Sequence, residues 1–249
     1  MERTPRSLGL PSDLEAAGFN VAGALASSTY DRLVPEDWSC AALLPEARRV
    51  LVLACGGRRL GQCVLQASAA GSEADPVDRH TERVVGALAA ALEERGARAV
   101  ALYATERRGG THADFVGLAR AAGLGAPSRL GLLLHPRYGP WLSIRAVVLT
   151  SRHGSTTGAL EGFDPCSGCP APCQVACPVD APERNGFDVD ACAGFRRAHR
   201  TCRSSCAARR ACPIGEVHAY APRLERLHMA ASARWLGIAD ETADPPAAS

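Results

Sequence analysis

Eight of the chain's 11 cysteines lie between Cys166 and Cys212, in two runs. The first is Cys166-x2-Cys169-x3-Cys173-x3-Cys177-Pro178, and the second is Cys192-x9-Cys202-x3-Cys206-x5-Cys212-Pro213. A fold built here must bridge these thiols or give them a metal, and either choice constrains everything around them. Bacterial ferredoxins with two clusters use a Cys-x2-Cys-x2-Cys-x3-Cys-Pro run. Its first three thiolates hold one cluster and its fourth holds the other. Short spacings wrap three thiolates round one cubane, and the proline turns the chain towards the second. By that rule Cys166, Cys169, Cys173 and Cys212 hold one 4Fe-4S cluster, and Cys177, Cys192, Cys202 and Cys206 hold the other. All eight thiols are used. The runs are longer than the ferredoxin pattern before Cys173 and before Cys212, which leaves the individual pairings more open than the total.

Two other uses of thiols compete. Structural zinc prefers paired Cys-x2-Cys knuckles, and only Cys166 and Cys169 have that spacing. Disulfides need an oxidising compartment, and the first thirty residues lack the basic start and apolar run of a secretory signal. The aliphatic stretches Val50–Cys55 and Leu130–Leu134 are far short of a membrane span, so the expected location is cytoplasmic with no membrane partner. The remaining cysteines, Cys40, Cys55 and Cys63, are read as buried thiols.

Charge adds a further limit. The chain carries 28 basic and 26 acidic residues, a net +2, so no global attraction to nucleic acid is implied. All the basic residues are arginine, which excludes Schiff-base chemistry and a phosphate-loop lysine. Six arginines (196, 197, 200, 203, 209 and 210) fall between Ala191 and Pro213 with no acid among them. They are expected to balance anionic clusters and tune their potential. The competing use is recognition of RNA or an acidic redox partner.

The first part of the chain reads as an α/β unit, a mixed α+β layered sheet. Expected elements are a short helix at 14–17, a strand at 21–25 and a buried strand at 49–54. A helix follows from Asp75 to about Arg95, then a strand at 99–103 and a helix from Phe115 capped by Asp114. Two strands, 130–134 and 143–150, flank a hairpin connection at His135–Pro140. Gly154 to Gly162 is the expected linker. The division is therefore an α/β domain over 1–155, a two-cluster ferredoxin-like domain over 156–236 with a helix at 216–236, and a disordered tail over 237–249. Histidines 112, 135 and 153 can donate protons, although core or solvated histidines are commoner. The Cys55-Gly56-Gly57 turn fits either a ligand approach or a plain turn after a strand.

The chain resembles the epoxyqueuosine reductase family and its relatives, the corrinoid-dependent reductive dehalogenases. The resemblance rests on Ala121-Ala122-Gly123-Leu124-Gly125, on Leu132-Leu133-Leu134-His135-Pro136-Arg137-Tyr138-Gly139-Pro140-Trp141, and on the double cysteine module. Ala17-Gly18-Phe19 and Leu44–Val50 also match, so it covers roughly residues 10 to 220. It implies a cobalamin between the first domain and the clusters, against Gly123, Gly125, His135 and Tyr138. It further implies electrons passing from a reduced flavodoxin- or ferredoxin-type donor through both clusters to cobalt. The implied substrate is a modified transfer RNA nucleoside or another small molecule. The family's proton-donating acid falls at Gly109 in an ungapped match, and Asp114 is the first acid after it. The family's C-terminal helical extension, which helps hold transfer RNA, is expected to be missing. The rival expectation is a ferredoxin-like carrier or accessory module without its own catalysis.

Overall fold

The computed structural model describes residues 9–67, 75–183 and 186–238. Helix α1 (Ser12–Ala16) ends at Gly18 and leads into strand β1 (Val21–Ala26). Helices α2 (Ser27–Asp31) and α3 (Cys40–Leu43) precede β2 (Arg49–Gly56). Helices α4 (Arg59–Ala67) and α5 (Pro76–Glu94) lead to β3 (Ala99–Tyr103) and α6 (Phe115–Ala121). Two-residue strands β4 (Ala126–Pro127) and β5 (Leu133–Leu134) come before the long β6 (Leu142–Thr150).

Four of these strands form one sheet in the order β1-β2-β6-β3, and every pairing is antiparallel. Helices cover both faces. Tyr30, Trp38, Phe115 and Leu118 pack on one side, and Phe19, Leu60, Val64, Val77 and Val85 on the other. This explains why β2 reads as a nearly continuous apolar run rather than an alternating one. Helix α5 starts where proline at its first position and the Asp75 carboxylate, accepting from Asp78 N at 3.2 Å, supply a cap.

The expected hairpin between 130–134 and 143–150 does not form. Strand β5 pairs with β4, while β6 pairs with β2 and β3. His135–Gly139 is a tight loop closed by a bridge between those two residues. The chain therefore leaves the main sheet after Tyr103, forms β4–β5 apart from it, and returns to it only at Leu142. A β-bulge also interrupts the central pair, since Leu53 faces Ala146 and Ala54 faces Ile144. The extra residue is Arg145, which donates to Thr81 Oγ1 at 3.3 Å and pairs with Asp78, both on α5.

After β6 the segment 154–162 is coil, as its composition predicts, but it is tied to the sheet. Thr157 N donates to Ala24 O at 3.0 Å, and Thr157 Oγ1 accepts from Ala24 N and donates to Ala122 O at 2.6 Å. It thereby covers the edge of β1. The cysteine module follows as α7 (Pro172–Val175), β7 (Pro182–Glu183), β8 (Gly186–Phe187), α8 (Val189–Ala198) and α9 (Ala207–Arg210). The expected helix at 216–236 is split. A single turn at Glu216–His218 precedes α10 (Pro222–Trp235), because proline belongs at a helix start. Of the expected disordered tail, Ile238 is buried behind α10, and residues 239–249 lie outside the described residues.

The cysteine module docks on the end of the sheet that carries Gly56 and Leu142. Gly139 (φ +54°) lies against the Ile214 carbonyl, and Gly215 (φ +70°) against the Tyr138 backbone. The backbones meet with no room for a side chain. Gly139→Ala adds a methyl group there at a positive φ and is expected to cost about 2–4 kcal/mol. The urea midpoint should fall and proteolysis within 154–162 should quicken; an unchanged midpoint would mean the two halves are held elsewhere.

Candidate metal centre

The eight clustered cysteines surround two cavities. Cys166 and Cys169 on the loop before α7, Cys173 on α7, and Cys212 after α9 line the first. Cys177, Cys192, Cys202 and Cys206 line the second. The groups are those of the ferredoxin spacing rule, with Cys177 and Cys212 each crossing to the cavity of the other run. Packing of α7 on α9 sets that crossing, since Cys173, Ala208 and Cys212 share one buried cluster with Leu130 and Leu134.

Burial pushes the Cys173, Cys192, Cys202 and Cys212 thiols above their ordinary value. Neighbouring thiols of the same group add to it: Cys173, Cys169 and Cys166 act on Cys212, and Cys206, Cys177 and Cys202 act on Cys192. Arg196 pulls Cys192 and Cys202 the other way. The thiols of each group thus favour the protonated form, and a cation among them would favour the thiolates.

The donor chemistry of both cavities is the same. Neither lining contains a carboxylate or an imidazole, and the thiols are bounded by proline, leucine, valine, phenylalanine and methionine. Soft thiolate sets of this kind select zinc or iron–sulfur clusters. Among the described residues no three His, Cys, Asp or Glu side chains come together as a single ion requires. Each cavity also has one arginine in its wall, Arg129 in the first and Arg196 in the second. The Nε atoms of both are buried without a hydrogen-bond partner. Buried donors without acceptors are rare, and an anionic group among the thiols would satisfy both. The residues present therefore fit a thiolate-ligated cluster in each cavity.

The arginine run is mostly engaged inside the fold. Arg209 donates to Pro140 O at 3.1 Å and stacks on Trp141 and Tyr220 at 4.7 and 4.8 Å. Arg203 donates to the carbonyls of Arg196 and Arg197, and Arg197 to that of Leu236. Arg210 pairs with buried Glu225, whose other oxygen accepts from Ser205 Oγ at 2.9 Å and Cys206 N at 3.2 Å. Sequence reasoning missed Arg129, Leu130 and Met229, which tertiary packing brings to the cavity walls, and Glu225, which accepts from Cys206 N outside the linings.

The residues expected at a corrinoid are occupied within the chain. A side chain on Gly123 would meet the Gly158 carbonyl, and one on Gly125 the Leu134 carbonyl. His135 is buried, and its Nδ1 accepts from Arg137 N at 3.0 Å and Tyr138 N at 3.2 Å. The Tyr138 ring packs between His135 and His218, and its hydroxyl accepts from Asn20 Nδ2 at 3.1 Å. All four residues thus make close contacts within the chain. Asp114 is exposed and caps α6, accepting from Gly117 N at 2.8 Å. His112 Nδ1 is bonded to Glu106 O at 2.7 Å and its ring lies on Trp235, while His153 is exposed. The Gly56-Gly57 turn is likewise used, with Gly56 bonded to Asn20 and Gly57 N donating to Trp141 O. Cys40 and Cys55 are buried as expected, but Cys63 is half-buried and donates to Ala16 O at 3.2 Å.

No family model matches the sequence, and no curated protein matches it. Solved structures do. A selenomethionine-labelled epoxyqueuosine reductase aligns at a TM-score of 0.57 with 16% identity, over 86% of this chain and 67% of that one. Another epoxyqueuosine reductase, solved with an epoxyqueuosine-modified tRNA-Tyr stem loop, aligns at 0.56 with 16% identity, over 85% and 66%. A B12-dependent reductive dehalogenase aligns at 0.52 with 17% identity, over 89% and 35%. The fold is epoxyqueuosine reductase-like. The chain spans about two thirds of the reductases' length and about a third of the dehalogenase's. No described helix is long and apolar enough to cross a membrane.

Within this epoxyqueuosine reductase-like fold the buried histidine has a measurable signature. Burial, with smaller pushes from Arg137 and His218, lowers the His135 pKa from 6.5 to about 4. Between those values the unfolded chain binds a proton that the folded chain refuses. Stability is therefore full above about pH 6.5 and is lost as pH falls towards 4. His135→Asn keeps an acceptor for the two backbone N–H groups and cannot be protonated. Its urea stability should lose less than wild type between pH 7 and pH 4.5, by an amount on the order of 2 kcal/mol. Parallel pH profiles for the two proteins would mean His135 is not held neutral.

Proposed function

We propose that the chain is an iron–sulfur redox protein carrying two 4Fe-4S clusters, of the epoxyqueuosine reductase type, which takes electrons from a reduced flavodoxin- or ferredoxin-like donor. The observation that carries this reading is the division of eight thiols into two cavities, each with a buried arginine Nε–H lacking an acceptor. Thiols spread round a cavity suit a cubane, whereas a lone zinc ion draws four sulfurs to one point. Bound there, such clusters accept and release single electrons.

The chain's own groups do the rest. Leu130, Leu134 and Ile214 wall the first cavity, and Phe187, Phe195 and Met229 the second, which gives the thiols an apolar surround on those sides. Cys206 Sγ accepts from Arg209 N at 3.5 Å, a backbone bond of the kind that stabilises a thiolate. Arg209 holds the two halves together and so fixes the cavities against the sheet. A modified nucleoside is the substrate class supported by the tRNA stem loop bound to one similar structure.

A second reading is a carrier or accessory module without its own catalysis. It is favoured by the exposed capping position of Asp114 and by the engagement of Gly123, Gly125, His135 and Tyr138 within the chain.

Anaerobic purification with iron, sulfide, zinc and cobalt quantified, then a cobalamin titration, tests both. About eight irons per chain are expected, and zinc without iron would overturn the two-cluster reading. Saturable cobalamin binding would favour the reductase, and its absence the carrier. Cys169→Ala is expected to lower iron by about four per chain. Unchanged iron in that variant would remove Cys169 from the ligand set.

A further inference from the structure

We propose that Arg196 raises the reduction potential of the cluster held by Cys177, Cys192, Cys202 and Cys206; this rests on the two-cluster reading above. Arg196 is 3% exposed and lines that cavity. Its guanidinium donates to Ser232 Oγ at 2.8 Å and to Met229 O at 2.9 Å, both neutral groups on α10. Its Nε is buried without a partner. A buried cation bonded only to neutral groups is unfavourable unless a negative charge lies close by. The cavity it lines is where four thiolates would supply that charge.

The other charges near this cavity are answered locally. Glu225 reaches Cys206 N, but its carboxylate is paired with Arg210 and also accepts from Ser205 Oγ. Arg210 is therefore matched by an acid, and Arg209 is held by Pro140 O and two aromatic rings. Of the six clustered arginines, Arg196 is the one in the cavity wall. An N–H donor and a positive charge beside a cluster favour its more negative, reduced form, which is a rise in potential. The first cavity has a weaker counterpart in Arg129, which is half-buried and so more screened by solvent.

The role belongs to Arg196 as a tuning residue, and potential is the readout that a purely structural role would not move. The full chain is purified and reconstituted anaerobically, iron and sulfide are counted, and both clusters are titrated by EPR. Arg196→Gln should move one of the two potentials to a more negative value and leave the other at its wild-type value. Arg196→Lys keeps the charge but loses the Nε donor, and should move the same potential by less. Arg129→Gln should move the other potential by less than Arg196→Gln moves the first. Arg196→Gln fully loaded with both potentials unchanged overturns the proposal. If that variant does not load, Arg196→Lys decides, an unshifted potential overturning it. Loss of four irons in both variants also overturns it, making Arg196 a holding residue. A wild-type chain without iron overturns the two-cluster reading instead.

Discussion

The Arg209 guanidinium, lying against the edge-to-face pair of Trp141 and Tyr220, is the contact on which the relation between the two halves depends. It belongs to α9, between Cys206 in one cavity and Cys212 in the other, and it donates to Pro140 O just ahead of β6. Each ring contributes on the order of 1 kcal/mol when desolvated, and the carbonyl bonds add direction. Lysine cannot replace it, because a point charge neither lies flat against two rings nor forks onto one carbonyl. A change at this residue reaches both cavities and the central strand together.

Helix α10 extends that connection. Leu224 and Tyr220 pack with Trp141, Leu227 reaches the sheet core, and Met229 walls the second cavity. At its far end Arg234 pairs with Asp75, the residue that caps α5. One amphipathic helix therefore carries the position of the sheet to the second group of thiols. Its faces serve different partners.

Much of this was legible before folding was considered. Strands β1, β2 and β3 and helices α5 and α6 follow from apolar periodicity and from caps at Asp75 and Asp114, which are local signals. The ferredoxin spacing rule groups the eight thiols as the two cavities do, although the longer spacings before Cys173 and Cys212 leave the individual pairings open in the sequence. The expected hairpin failed because β5 is only two residues long, and its partner was chosen by packing against Cys173 and Cys212. Gly123 and Gly125 drew attention as a possible ligand approach, yet the backbone they approach is the chain's own. A glycine's lack of a side chain shows that something comes close, and the sequence does not say what.

The arginine run makes the same point with charge. Six cations without an acid in one stretch look like a surface for RNA or an acidic protein. In the fold, Arg203 donates to two carbonyls near the end of α8 and Arg197 to the carbonyl closing α10, where helix ends leave acceptors unmatched. Arg209 and Arg210 clamp neighbouring elements, and Arg196 turns into a cavity. Guanidinium groups suit these tasks because one planar fork can satisfy several carbonyls at once. Part of this local excess of positive charge therefore closes backbone acceptors, while Arg197, Arg200 and Arg210 stay exposed. How much charge a partner would meet is a separate quantity, set by which way each side chain points.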